Sequence, residues 1–229
     1  MSERESNILV ALTRLRFMTT RQIHRLYGYT GNHGLSVTRR RLREMELTGW
    51  IKSWQPSKYD QKIFYLSKQG ALELTYRCGV EDAKTYRKSE KAIHYSLIAE
   101  VIVQLHAAIP GFLRSFEVEP RFGNLIPDAC LEVESDARSA RMFLELDRNT
   151  ESAGYLRDIK MEKYRSFYLT SGASESRPAL LIVTSTEYRK SLFDSIAKQF
   201  RLPAVCATID EVTASPLDFA MSIVRQPPL

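Results

Sequence analysis

Apolar residues recur at helical spacing in three consecutive segments at the start of the chain, over residues 2–16, 19–28 and 36–49. The first two segments begin with Ser or Thr followed three residues later by Glu or Gln, which is the pattern of a capping box. Two short apolar runs follow, at residues 50–54 and 62–66, with polar residues between them. The pattern therefore predicts three helices and a β-hairpin.

The rest of the chain mixes longer helical patterns with short apolar runs typical of strands. Polar residues 79–88 show no periodicity and are interpreted as a linker. Three strands in succession predict an antiparallel meander, and the later β-α-β order predicts parallel crossovers, which together give a mixed sheet. The predicted order is helix 89–106, strands 112–118, 125–133 and 141–147 with a turn at 135–138, helix 150–169, strand 179–184, helix 186–200 and strand 204–209.

Composition excludes several classes of protein. Apolar residues make up 44% and charged residues 26% of the 229 residues, which is typical of folded domains and excludes intrinsic disorder. The longest apolar runs fall far short of the about 20 residues that a membrane helix needs, so no membrane segment is expected. The cysteines Cys78, Cys130 and Cys206 form no paired motif, as expected of a protein in the reducing cytoplasm.

Positive charge is concentrated in the first part of the chain. Residues 1–90 hold 17 Lys and Arg against nine Asp and Glu, a net charge of +8, whereas residues 91–229 have a net charge of −2. This asymmetry indicates a polyanionic partner for the N-terminal part, with nucleic acid first and an anionic membrane surface second. A basic face that is only solvated is the alternative interpretation.

Three helices followed by a hairpin resemble the winged helix-turn-helix domains of DNA-binding proteins, in which the third helix enters the major groove and the hairpin contacts the backbone. On the third helix Arg39, Arg40 and Arg43 share one exposed side at 100° per residue. A protein-binding winged helix with a solvated basic face is the alternative. The residues expected to contact double-stranded DNA are Thr38, Arg39, Arg40, Arg41, Arg43, Lys58 and Lys62.

Carboxylates also fall within the apolar strands of the second half. Glu145 and Asp147 lie two apart on one strand and so share a face, and Asp128 reaches that face if the preceding strand pairs through its short turn. Converging carboxylates need a compensating cation, and Mg²⁺ or Mn²⁺ prefers oxygen ligands. Pairing of Glu145 and Asp147 with Arg141 or Arg148 at a sheet edge is the alternative.

The order α-β-β-β-α-β, with Asp128 on the second strand and Glu145 and Asp147 on the third, resembles the PD-(D/E)xK nuclease superfamily. The resemblance implies that Asp128 and Glu145 bind a divalent metal and that Glu100 on the first helix adds a ligand. It also implies a lysine two residues after the Glu. Asp147 occupies that position here, and Lys160 on the next helix is the expected replacement, so the implied catalytic residues are Asp128, Glu145, Asp147 and Lys160.

A more specific resemblance covers nearly the whole chain. The segments that carry it read TTRQIHRLYG, TRRRLREMELTGWI, HYSLIAEV, IPDACLE, FLELDRNTES and a following K..KY. They resemble the replication-relaxation family of bacterial plasmids and mobile elements. The resemblance implies a part in plasmid replication or mobilisation through contact with DNA.

Two functions stay open from the sequence. The first is a DNA-binding protein of a plasmid or mobile element, with a Mg²⁺- or Mn²⁺-dependent nuclease or nickase activity. The second is a winged-helix transcriptional regulator whose second domain is inactive and serves for homodimerisation or ligand sensing. The expected domains are a winged helix-turn-helix over residues 1–78, the linker 79–88 and a nuclease-like domain over residues 89–229.

Overall fold

The chain folds into two compact units, Met1–Val103 and Gln104–Leu229, which we call the N-terminal and C-terminal units. The boundary falls inside a helix and not within the expected linker at residues 79–88. The computed structural model describes residues 1–81, 83–135, 138–170 and 178–224.

The N-terminal unit has the predicted order of three helices and a hairpin. Both expected capping boxes are present, one between Ser2 and Glu5 and the other between Thr19 and Gln22. The third helix begins at Gly34, two residues before the expected start. The elements are α1 (Glu3–Leu15), β1 (Met18–Thr19), α2 (Thr20–Tyr27), α3 (Gly34–Leu47), β2 (Ile51–Trp54), β3 (Ile63–Leu66), α4 (Lys68–Cys78) and α5 (Lys91–Ala108), the last of which crosses the unit boundary.

The hairpin of β2 and β3 is part of an antiparallel sheet of three strands within the described residues, in the order β1-β3-β2. Strand β1 has two residues and pairs Met18 with Phe64. It was not predicted, because two residues carry no alternation that a sequence pattern could show. Its pairing ties the segment between α1 and α2 to the hairpin.

The expected linker packs against the N-terminal unit. The guanidinium carbon of Arg16 lies 5.1 Å from the ring centre of Tyr86, and the ammonium of Lys88 lies 5.1 Å from the ring of Trp54. The ring of Phe17 stacks on Tyr95 of α5 at 5.9 Å. These cation–π and aromatic contacts extend the compact unit beyond residue 88.

Helix α4 lies against the hairpin through Gly70. A Cβ atom at this position would come within 2.0 Å of the Trp50 backbone oxygen. We expect Gly70→Ala to lower the free energy of unfolding by about 1–3 kcal/mol, because overpacking forces the backbone to shift. Urea unfolding measures the change. Leu72→Ala, at a position that is 71% exposed on the same helix, is the control and should leave stability nearly unchanged.

The C-terminal unit is built on a mixed sheet of five strands within the described residues, in the order β4-β5-β6-β7-β8. The first three strands are antiparallel and the last three parallel, as predicted. Asp136 and Ala137 of the predicted turn lie outside the described residues. The elements are β4 (Leu113–Val118), β5 (Ala129–Ser135), β6 (Arg138–Asp147), α6 (Ala153–Tyr155), a π-helix (Leu156–Met161), α7 (Glu162–Thr170), β7 (Ala179–Thr184), α8 (Glu187–Phe200), β8 (Ala204–Thr208), α9 (Ile209–Ala214) and α10 (Pro216–Val224).

One face of this sheet packs against the helices that follow β6 and β7. Phe143 of β6 and Ile182 of β7 share a core with Tyr164 of α7 and Phe193 of α8, and all four are buried. The helix after β6 is capped by Ser152, whose hydroxyl accepts from the Tyr155 backbone N–H at 3.2 Å, so the helix begins at Ala153 and not at residue 150 as expected. A π-helical segment within a helix is uncommon and is often found near functional sites.

Across residues 1–81, 83–135, 138–170 and 178–224, no helix has the length and apolar character needed to cross a bilayer.

Candidate functional site

A groove in the N-terminal unit is lined by α3, by the hairpin and by the start of α2. Its volume is about 560 Å³. Basic, acidic and apolar side chains all reach it, but the basic ones dominate. The lining residues are Thr20, Arg21, Arg39, Arg43, Glu46, Leu47, Gln61, Lys62 and Phe64.

The cations of this groove are largely available to a ligand. Arg39 and Arg43 are exposed, and in the described part of the chain neither has an acidic partner within 4.0 Å. Lys62 approaches Glu46 at 3.7 Å. Arg21 was not among the residues expected to contact DNA. Its position in the first turn of α2, two residues after the cap Thr19, was a signal that its side chain is exposed.

The other arginines of α3 differ in their surroundings. Arg40 is exposed and lies 3.9 Å from Glu44, whereas Arg41 pairs with the same carboxylate at 2.8 Å. Lys58 at the hairpin tip is exposed, with its ammonium 4.8 Å from the ring centre of Tyr59. Arg39, Arg40 and Arg43 therefore share an exposed side of α3, as the periodicity predicted.

Thr38 does not belong to this surface. It is 3% exposed, its hydroxyl donates to the Gly34 backbone oxygen at 3.0 Å, and it lies 3.0 Å from Nδ1 of His24. The expectation that Thr38 contacts DNA is corrected, because a side chain held in the interior cannot reach a ligand. Thr38 instead fixes α3 to α2.

A second candidate site lies where β5 begins beside β6 in the C-terminal unit. The register pairs Ala129 with Leu144, which places Asp128 opposite Glu145. Oδ2 of Asp128 accepts a hydrogen bond from the Leu146 backbone N–H at 2.7 Å. The sequence predicted this juxtaposition from the hairpin pairing of the two strands.

Glu145 is buried among polar partners from the next helix. It is 3% exposed, and its Oε2 lies 2.6 Å from the ammonium of Lys160. Its Oε1 accepts a hydrogen bond from the hydroxyl of Tyr164. Glu151 approaches the same ammonium at 3.4 Å. The π-helical segment brings Lys160 to this carboxylate, and Tyr164 follows one turn later.

The titration behaviour of these groups follows from burial and charge. Burial raises the pKa of Glu145 to about 7, against the lowering effect of the Lys160 ammonium. Burial alone would lower the pKa of Lys160, but attraction to Glu145 and Asp128 outweighs it and raises that pKa above its ordinary value. Burial, and then Glu145, raise the pKa of Tyr164, which therefore stays protonated and donates.

Asp147 has a different partner from the one expected. Both of its oxygens accept from Arg189 of α8, at 2.7 Å each, and the two side chains are only 1% and 4% exposed. Neither Arg141 nor Arg148 takes this place, and Arg141 approaches Glu132 instead at 3.4 Å. The expected catalytic role of Asp147 is corrected, because a carboxylate fully bonded to a buried guanidinium is structural.

Glu100 is held within the N-terminal unit. Its carboxylate accepts from Nε2 of Gln22 at 2.7 Å and pairs with Arg25 at 3.0 Å. We therefore do not count Glu100 among the proposed metal ligands, because Gln22 and Arg25 of α2 already bind its oxygens. Tyr164 and Glu151 were missed as members of the carboxylate site, since Tyr164 follows the helical core pattern and Glu151 fits a helix N-terminus.

The oxygen atoms of Asp128 and Glu145 are the candidate ligands for a divalent metal. No group of three or more His, Cys, Asp and Glu side chains in the described ranges is arranged to hold one. Mg²⁺, however, is commonly held by one or two carboxylates together with waters and substrate phosphates. Asp128 and Glu145 supply such a pair of oxygen donors on adjacent strands. Asp128 and Glu145 fit a two-carboxylate site only when the ion replaces Lys160 or Tyr164 at one oxygen of Glu145.

Comparison with protein-family models identifies the chain. The model described as Replication-relaxation matches residues 9–181. The match runs from α1 through the hairpin and into β7, so it includes both candidate sites. The chain belongs to the replication-relaxation family. The resemblance seen in the sequence is thus confirmed, and a part in DNA processing during replication or mobilisation fits this family.

Two solved structures of one enzyme are similar to the chain. One is restriction endonuclease FokI bound to DNA, with 10% identity, a TM-score of 0.34, and coverage of 96% of this chain and 44% of that chain. The other is restriction endonuclease FokI, with 9% identity, a TM-score of 0.33, and coverage of 98% of this chain and 45% of that chain. The chain thus spans less than half the length of these structures. No curated protein matches it.

Proposed function

We propose that this replication-relaxation protein binds double-stranded DNA, with its N-terminal unit acting as a winged helix-turn-helix. The observation that carries the proposal is the groove between α3 and the hairpin, where Arg21, Arg39, Arg43 and Lys62 converge. Guanidinium groups bind phosphate and guanine through pairs of N–H donors. Helix α3 presents them at its exposed side, where the third helix of such domains meets the major groove.

The groove arrangement also argues against a basic face that is only solvated. Surface arginines commonly pair with a nearby carboxylate, as Arg41 does with Glu44 at 2.8 Å. Arg39 and Arg43 instead point into a concave surface shared with the hairpin. Positive charge predominates in this concave surface, with four cations against Glu46, and such a surface raises the local potential and attracts a polyanion. We propose plasmid or mobile-element DNA as this duplex, because the chain belongs to the replication-relaxation family.

The double variant Arg39→Ala with Arg43→Ala tests this proposal. We expect its affinity for a labelled duplex to fall about 30-fold or more, because each lost arginine contact is worth about 1–3 kcal/mol. Fluorescence anisotropy at fixed salt measures the change. Arg77→Ala on α4 is the control. Arg77 pairs with Glu73 at 2.6 Å and does not line the groove. Equal affinities of the double variant and the wild type would contradict the proposal.

A second candidate activity is Mg²⁺- or Mn²⁺-dependent cleavage or nicking of that DNA. It is favoured by the convergence of Asp128, Glu145 and Lys160 at one point of the sheet. Asp128 and Glu145 would hold the ion, which supplies an activated water and charge stabilisation at a phosphoryl centre. Lys160 holds the Glu145 carboxylate in place and offers an ammonium to phosphate oxygens, and Tyr164 fixes the other oxygen of Glu145.

The transcriptional regulator is the rival to cleavage. Under that hypothesis the same polar cluster serves only to hold the fold of the C-terminal unit, and the protein dimerises or senses a ligand there. The two hypotheses differ in their response to a chelator. A discrete footprint that EDTA leaves unchanged, without any strand cleavage in Mn²⁺, supports the regulator. Strand cleavage that EDTA stops supports the nuclease.

A further inference from the structure

The small cluster formed by Arg4, Tyr29 and Arg41 lies on the N-terminal unit, apart from the basic groove. Arg4 comes from the first turn of α1, Tyr29 from the turn between α2 and α3, and Arg41 from α3 itself. The guanidinium carbon of Arg4 lies 4.0 Å above the centre of the Tyr29 ring. Arg41 lines the same small cavity as Arg4 and Tyr29. Three elements that are separate in sequence therefore bring two cations and one hydroxyl together.

This cluster occupies the other flank of α3. Arg41 is two residues from Arg39 and two from Arg43, which places it about 160° away from each around the helix axis. Arg39 and Arg43 line the groove beside the hairpin, whereas Arg41 lines a small cavity with Arg4 and Tyr29. Helix α3 therefore has basic side chains on both flanks.

The chemistry of the cluster suits a phosphate. A guanidinium stacked on an aromatic ring keeps its in-plane N–H donors free for an anion, and the stacking reduces the entropy lost on binding. The guanidinium groups of Arg4 and then Arg41 lower the pKa of Tyr29, so the potential at its hydroxyl is positive. The potential at this hydroxyl is positive even though Glu44 pairs with Arg41 and Glu5 lines the same cavity. The Glu5 carboxylate accepts from the Ser2 backbone N–H at 2.6 Å.

We propose that Arg4, Tyr29 and Arg41 form a second anion site, which holds a phosphodiester of the DNA backbone on the flank of α3 opposite to the groove. The inference rests on the proposed duplex binding. A helix in the major groove, about 12 Å wide, lies between two phosphate backbones, so contacts on both flanks fix its position across the groove. Contacts of this kind position a protein without reading sequence.

The test compares the salt dependence of duplex affinity in full-length variants. Arg4→Gln should reduce the slope of log K against log salt by about 0.9, the value of one phosphate contact. It should weaken binding to related and unrelated duplexes by the same factor. Arg4→Lys should restore the slope, and Tyr29→Phe should weaken binding a few-fold with the slope unchanged. Arg77→Gln is the matched control, and thermal melting followed by circular dichroism shows that each variant is folded.

The outcomes separate this inference from the proposed function. If Arg43→Gln lowers the slope and Arg4→Gln leaves it unchanged, the second site is overturned and duplex binding stands. If the wild type binds duplex with no salt dependence, both fail. A further arm adds inorganic phosphate and follows thermal unfolding. Protection of the wild type but not of Arg4→Gln, with unchanged duplex slopes, would show a site for free phosphate and overturn the assignment to the DNA backbone.

Discussion

Asp147→Ala is expected to lower the free energy of unfolding by about 3–5 kcal/mol, because removing one partner leaves a buried charge uncompensated. Both oxygens of Asp147 bind Arg189, and neither side chain is more than 4% exposed. Guanidine unfolding followed by circular dichroism measures the loss. The control is Glu132→Ala, which removes the exposed partner of Arg141 and should cost less than about 1 kcal/mol.

A double variant tests whether the loss comes from the orphaned charge. Asp147→Leu with Arg189→Met replaces both ions by apolar side chains of similar volume, which is often neutral for a buried pair. We expect it to recover most of the stability lost in Asp147→Ala. If the double variant is less stable than the single one, the pair itself holds β6 and α8 together, and the explanation by an uncompensated charge fails.

Asp128→Asn with Glu145→Gln should reduce Mn²⁺-dependent nicking of supercoiled plasmid DNA by more than about 100-fold. The reason is that a metal site held by carboxylates loses its charge and its ligands together. Agarose gels of nicked and supercoiled plasmid measure the rate. Duplex binding should stay at the wild-type level, since the arginines of the groove belong to the N-terminal unit.

Two further variants sharpen this result. Lys160→Met removes the ammonium 2.6 Å from Glu145 while keeping the length of the side chain, and it should also slow nicking. Glu187→Gln, at an exposed position on α8, is the matched acidic control and should nick at the wild-type rate. Wild-type protein that binds duplex but never nicks it in Mn²⁺ or Mg²⁺ would leave the regulator as the function of the chain.

Local signals in the sequence were sufficient for much of the fold. The capping boxes at Ser2 and Thr19 set the starts of α1 and α2, because capping depends on residues only three positions apart. The pairing of β5 with β6 followed from a short connection, and it placed Asp128 opposite Glu145 as expected. Where neighbouring residues determine the structure, the pattern was reliable.

The errors in the candidate site residues came from interactions across long sequence separations, with one exception. Asp147 binds Arg189, 42 residues later, and no periodicity could reveal that partner. Glu100 is bound by side chains 75 and 78 residues earlier in the chain. Thr38 is the exception, because it lies four residues before Leu42 and seven before Met45, and both are buried. Helical periodicity alone would have placed it in the core.

Salt dependence of duplex binding tests the central claim most directly. The affinity of the full-length protein for a labelled duplex is measured between 50 and 200 mM NaCl. Four basic side chains in the groove predict a slope of log K against log salt of about −4, since each neutralised phosphate contributes about −0.9. No detectable binding at 50 mM salt, or an affinity that stays constant over this range, would contradict the proposal that the N-terminal unit is a reader of double-stranded DNA.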